Sequence, residues 1–262
     1  MSDPSLDAAV TGIREEYARR AVAPQCAGEY SLLNTTHAAL VFERERAILG
    51  ALGRHLDVPL EEIELLDVGA GSGVSLALLA AYGCDATRLH GVDIVADRIE
   101  RGRAQFPAFD LRISDGYTLP FDDDSFDVVQ QITMLSSVHE DVLRERIVAE
   151  MRRVLRPGGL LLSFDVTSIP LAPRAINRLL TLGRRREVGS GGETAPGDVA
   201  VRLTPVRPLE EADLQRLTAP LQRVEARRLG PYRPLVERSP DLVQAFLRAL
   251  PGFSTTLLYV AR

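Results

Sequence analysis

The sequence predicts an α/β chain built on a doubly wound, seven-stranded, mostly parallel sheet with a mainly helical lid. Three observations carry this prediction. From residue 64 onward, short apolar runs alternate with segments of helical spacing, which implies a parallel sheet covered on both faces. The first run, LLDVGAGSG (65–73), breaks into three glycines at alternate positions, where an open sheet of this kind binds its ligand. Ahead of it, the first 60 residues are helical in pattern.

Taken in order, Asp7 to Arg20 is a candidate helix, and Val41, Ile48, Leu52 and Leu56 form the apolar stripe of a second. Between them, PQCAGEYSLLNTTH (24–37) reads as a loop. IELLDVG (63–69) is the first strand and VSLALLAAY (74–82) its helix. TRLHGVDI (87–94) and ADRIERGRAQF (96–106) repeat the unit, and FDLRIS (109–114) and FDVVQQI (126–132) are further strands. Leu143, Ile147, Met151 and Val154 trace a helix with Asp141 as its expected cap, and Arg156-Pro157-Gly158-Gly159 is its stop signal. LLLSFDVT (160–167) follows as the fifth strand.

Residues 170–205 break the rhythm, with GRRREVGSGGETAPGD (183–198) reading as a loop. A helix near Leu209–Leu217, a strand near Arg223–Leu229, a helix opening at Ser239-Pro240-Asp241 and a closing strand, STTLLYVAR, complete the pattern. The expected organisation is an N-terminal helical lid segment over 1–60 and a ligand-binding domain over 61–262. Lid insertions fall at about 170–205 and 230–253.

A net charge of −5 over 262 residues gives no general attraction for nucleic acid or an anionic membrane. No apolar run approaches the ~20 residues that span a bilayer, and MSDPSLDAAVTGIREE lacks the build of a secretory signal. Cys26 and Cys84 form no metal or disulfide pattern, so a cytoplasmic setting is expected. All 31 basic residues are arginine, which excludes a Schiff-base lysine and a P-loop.

The glycine spacing sorts the ligand. Dinucleotide loops favour G-x-G-x-x-G, whereas here the third glycine comes one residue early, at Gly73, and Val74 takes the dinucleotide position. Asp67 would repel a pyrophosphate but suits an ammonium or sulfonium. Asp67 with Gly69, Gly71 and Gly73 resembles the first motif of class I S-adenosylmethionine-dependent methyltransferases, of the bacterial small-molecule "methyltransferase type 11" kind. Asp93 in GVDI, Asp115 in SDGYTLPFDDDSFDVV and the turn in VLRPGGLLL continue the resemblance in order. It covers about 65–165 and implies a Rossmann-like methyltransferase fold.

The resemblance implies S-adenosylmethionine as cofactor and S-adenosylhomocysteine as product. It places Asp67, Gly69, Ala70, Gly71, Ser72, Gly73, Asp93, Ile94, Asp115, Gly116 and Gln131 at the cofactor, with Asp93 on the ribose hydroxyls and Asp115 at the adenine amino group. Many small-molecule relatives carry a His-His pair where this chain has Ser136 and Ser137, so His139 is the candidate base and His37 a second. His55 and His90 read as packing residues.

Tyr30 and Tyr232, in the lid segments, are candidate acceptor contacts. The carboxylates of the metal-dependent catechol-type enzymes are missing, so no metal is expected. The reading that follows is O-methylation of a sugar or natural-product hydroxyl in secondary metabolism. N- or C-methylation, a cofactor-dependent cyclase or a regulatory module are the alternatives, and an NAD oxidoreductase is a more distant one.

Overall fold

The computed structural model describes residues 4–21, 33, 35–167, 207–231 and 254–262. Helices α1 (Pro4–Ala21) and α2 (Thr35–His55) precede β1 (Leu65–Val68), α3 (Val74–Ala81), β2 (Leu89–Asp93) and α4 (Ala96–Gln105). Then come β3 (Asp110–Ile113), β4 (Phe126–Ile132), α5 (Asp141–Arg153) and β5 (Leu155–Val166). We number the next helix α6 (Glu211–Thr218); β6 (Arg223–Pro231) and β7 (Ser254–Ala261) follow it.

The strands form one seven-stranded sheet in the order β3-β2-β1-β4-β5-β7-β6. β1 to β5 run parallel, and β7 lies antiparallel between β5 and β6. Side chains alternate across the sheet with the strand period. Leu66, Val68, Val129, Leu161, Leu257 and Tyr259 pack with Leu6 and Val10 of α1 and with apolar residues of α5 and α6. Leu65, Val128, Leu160, Leu162 and Val260 pack on the other face with α2, α3 and α4. β1 and β4 are neighbours although β2 and β3 intervene in sequence. The winding reverses there, which makes their carboxyl ends the topological switch point.

Several expectations need correction. Thr35 to His37 form the first turn of α2 rather than the end of a loop; two threonines carry no apolar periodicity to reveal it. The Arg156–Gly159 turn ends the helix but is taken up into β5 as a bulge. Phe126 pairs with Leu155 and Val128 already with Leu160, and Gly158 is left-handed at φ +79°. Asp141 is not the cap of α5. Glu140 holds that position without a side-chain bond, and Asp141 pairs instead with Arg207. That guanidinium holds the Asp141 carboxyl below its usual range.

The two histidines read as packing residues have polar partners. The rings of His90 contact Glu64 and Asp110 at 3.0 and 3.2 Å, and His55 lies 3.1 Å from Glu225. Cys84 is buried and free. Cys26, the insertion at about 170–205, residues 232–253 of the other insertion and the helix expected at Ser239 lie outside the described residues. No helix among the described residues is long and apolar enough to cross a membrane.

Candidate active site

The loop from β1 to α3 is built by backbone geometry. Gly69 and Ala70 both donate to the Val92 carbonyl, at 2.8 and 2.9 Å, which lashes the loop to the end of β2. Gly69 sits at φ +87°, and a Cβ there would lie 2.7 Å from the Met134 side chain. Gly71, at φ +60°, has nothing within 4 Å of its Cβ direction. Its bare backbone therefore faces open space that a ligand can enter. Ala70, Ser72 and Gly73 complete the turn, and the Gly73 N–H donates to the Ala70 carbonyl at 3.0 Å.

Asp93 ends β2 and is buried. Its Oδ2 accepts the Gly71 N–H and its Oδ1 the Val95 N–H, each at 2.8 Å. Each oxygen keeps a further lone pair, so the carboxylate can accept a hydroxyl on each side while its orientation stays fixed. A vicinal diol is the ligand group that fits. Ile94, next in sequence, is half-buried against the core. Asp115 follows β3 in a tight turn, its Oδ1 accepting from Tyr117 N at 3.1 Å and Thr118 N at 2.9 Å. Its Oδ2 has no partner among the described residues, and Gly116 beside it is left-handed at φ +80°.

Asp67 lies beneath the glycine loop. Ser75 of α3 donates to its Oδ2 at 2.6 Å. Burial pushes this carboxyl up to about 6 against the pull of side-chain hydrogen bonds from Ser75 and Gln130. Its register partner on β4 is Gln130, whose side-chain amide lies beside the carboxylate.

Gln131 was expected at the cofactor, and the structure corrects this. Its Nε2 donates to Ser163 Oγ at 2.6 Å and Asp165 Oδ2 at 3.1 Å, and its Oε1 accepts from Met134 N and Leu135 N. Fully buried, its side chain fixes the turn after β4 and has no polar atom left for a ligand.

That turn begins at Thr133, a non-glycine residue at φ +54°. It continues into a 3-10 turn, Leu135–Ser137, whose Ser136 N–H donates to Asp165 Oδ2 at 3.1 Å. Burial holds the Asp165 carboxyl above its usual range. Arg144 and Arg207 clamp the segment further through Leu135 O and His139 O. His139 itself is exposed at the rim, and His37 is half-buried in the first turn of α2. Tyr30 and Tyr232 lie outside the described residues.

The N-terminal segment was expected as a lid, but the contacts by which α1 reaches the site were not among the expectations. Tyr117 donates to Asp7 Oδ1, Tyr17 donates to Ser137 Oγ at 3.3 Å, and Arg98 of α4 lies 4.5 Å over the Tyr17 ring. The helix thus bridges the loops after β3 and β4. Among the described residues, no three His, Cys, Asp or Glu side chains converge as a metal site requires.

Residues 66–163 match the family model described as "Methyltransferase domain". Over those residues the core of this chain is similar to the methyltransferase domain family. The residues present fit S-adenosylmethionine, the cofactor that this similarity implies: a diol acceptor in Asp93, an open glycine face at Gly71 and a buried acid in Asp67.

Over 166 residues the chain is 34% identical to a demethylmenaquinone methyltransferase of Beutenbergia cavernae, covering 63% of this chain and 60% of that protein. Over 133 residues it is 34% identical to the 27-O-demethylrifamycin SV methyltransferase of Amycolatopsis mediterranei, covering 48% and 46%. A solved S-adenosylmethionine-dependent methyltransferase of Mesorhizobium loti shares the fold at TM-score 0.55 and 19% identity, covering 85% of this chain and 99% of that one. The matched stretch spans between 28% and 60% of the length of the first curated relatives, about half in most.

Proposed function

We propose that this methyltransferase domain methylates a hydroxyl of a small molecule, a sugar or a natural product, without a metal ion. The observation that carries the reading is the wall that α1 makes across the ligand edge, pinned at Asp7 and Tyr17. A narrowed, roofed site suits a small acceptor better than a polymer. Its lining at the turn after β4 is hydroxyl-bearing, with Tyr17 and Ser137 in contact. The similarity to an enzyme named for an O-demethylated rifamycin supports the same reading.

When bound, S-adenosylmethionine supplies a methyl group already activated on a sulfonium. The protein's share is alignment, exclusion of water and removal of one proton. Asp93 and the glycine loop fix the nucleoside end, while α1 and the turn after β4 bound the space where the acceptor lies. The acceptor's hydroxyl proton goes to His139 at the rim of that turn, in the absence of histidine at 136 and 137.

The test is mass spectrometry of candidate hydroxylated acceptors incubated with S-adenosylmethionine in EDTA, with wild type and His139→Ala in parallel. A gain of one CH2 unit is expected in EDTA, and kcat is expected to drop roughly 10²–10⁴-fold in the variant. A rate that needs added magnesium overturns the metal-free reading. A drop under about fivefold removes His139 as base and leaves alignment alone, or His37 in its place.

A further inference from the structure

Helix α5 buries an arginine and β5 buries an aspartate, and neither touches an opposite charge among the described residues. Arg144 is 3% exposed and Asp165 1%. A peptide group lies between them instead. Arg144 Nε donates to the Leu135 carbonyl at 3.1 Å, and the Ser136 N–H donates to Asp165 Oδ2 at 3.1 Å. Leu135 O and Ser136 N belong to the same peptide unit. One amide plane therefore carries a guanidinium at its oxygen and a carboxylate at its hydrogen.

Both charges agree with the peptide dipole, negative at the oxygen and positive at the N–H. Hydrogen bonds to ionised groups are about twice as strong as neutral ones, and each polarises the amide for the other. The reversed orientation is excluded at both ends. A flipped peptide would aim its carbonyl at the carboxylate and its N–H at the guanidinium. Asp165 also accepts from Gln131 Nε2 at 3.1 Å and Val166 N at 2.7 Å, with the Ser136 hydroxyl beside it. Arg144 Nη2 donates to Arg207 O at 3.0 Å.

The amide so held lies inside the 3-10 turn Leu135–Ser137. On its two sides stand Thr133, left-handed at φ +54°, and Ser137, whose Oγ meets Tyr17 of α1. We propose that Arg144 and Asp165 are a coupled pair of positioning residues. Through the one peptide group they share, they fix the turn that presents Ser137 and His139 to the acceptor. The acceptor's part in this rests on the proposed hydroxyl methylation; the fixing of the turn does not. Both residues act through the turn, and neither is a catalytic residue.

The experiment compares Arg144→Met, Asp165→Asn and the double variant with wild type by amide hydrogen exchange and S-adenosylhomocysteine calorimetry. Methionine keeps the apolar stem of the arginine and removes its donors. Arg144→Met touches only the carbonyl end of the peptide, yet it is expected to release the N–H end. Ser136 N–H exchange should rise about tenfold or more relative to the Ala70 N–H of the glycine loop. The double variant should exceed the faster single by no more than about threefold, because both residues act on one group. It also keeps the test open where a single variant, left with one buried unpaired charge, fails to fold. Kd for S-adenosylhomocysteine should stay within about twofold, since Gly69 and Ala70 hydrogen-bond to Val92 O. With an acceptor identified by mass spectrometry, kcat should fall about tenfold or more in the double variant.

An unchanged Ser136 rate in Arg144→Met overturns the coupling. A rise matched at Ala70, or an equal loss of S-adenosylhomocysteine affinity, reports general loosening and overturns it too. A kcat held within about twofold despite a released turn removes the positioning role. If wild type methylates no acceptor, the hydroxyl reading fails by itself, and the exchange ratio still decides whether the pair fixes the turn.

Discussion

Burial sets the ionisation of Asp67 against the stability of the fold. An ordinary aspartate ionises near 3.8, whereas burial moves this one to about 6. The folded chain therefore holds a proton over a range in which the unfolded chain has released it. Stability from this residue is full below about pH 4 and is lost as pH rises through 6. Asp67→Asn is expected to leave stability at low pH unchanged and to raise it at pH 7.5 by ~2–3 kcal/mol. Urea unfolding at both pH values measures this, and an unchanged midpoint at pH 7.5 refutes it.

At this scale the placement of the candidate residues was legible. Asp67, the three glycines and Asp93 stand in a short stretch whose spacing alone placed them on one loop and the strand beside it. The internal bonds of the Gln131 side chain were hidden for a physical reason. Adjacent strand residues point to opposite faces, and a tandem pair inside a mostly buried strand gives no sign of which face carries the ligand.

At the level of elements, the joint between β4 and α5 stores strain. Thr133 is β-branched yet left-handed at φ +54°, and its N–H is held by Phe164 O at 2.7 Å. Such a residue costs on the order of 1–3 kcal/mol, and asparagine tolerates the same conformation better. Thr133→Asn is expected to stabilise the chain by ~1 kcal/mol, read as a higher Tm. A lower Tm would show that the threonine's own contacts outweigh the strain.

Strands and helices between 63 and 132 were legible because apolar period and glycine punctuation agree there. The β5 bulge was not. Pro157 and Gly158 announce a turn whatever the partner strand does, and only the register with β4 shows that the turn belongs to the strand. The contacts that pin α1 were illegible for a similar reason. Its spacing revealed a helix, but the bonds of Asp7 and Tyr17 depend on residues more than a hundred positions away.

For the molecule as a whole, seven strands and their mainly parallel sense could be read in advance, but not the order in which they lie. Nothing in the local pattern of STTLLYVAR says that it slots between two earlier strands. That placement has a consequence for assembly. β5 ends at Val166, and the strand that covers its free edge begins at Ser254. Closing so long a loop is slow relative to the local β-α-β units. While β1 to β5 wait, Leu161, Leu162 and Phe164 line an open edge, a template for any strand of matching sequence. A second copy carries such a strand. Refolding from urea is therefore expected to be a race between self-closure and exchange, with yield falling as protein concentration rises and strand-swapped dimers appearing on gel filtration. A yield and monomer fraction independent of concentration would mean that the late strand arrives before a neighbour can lend its own.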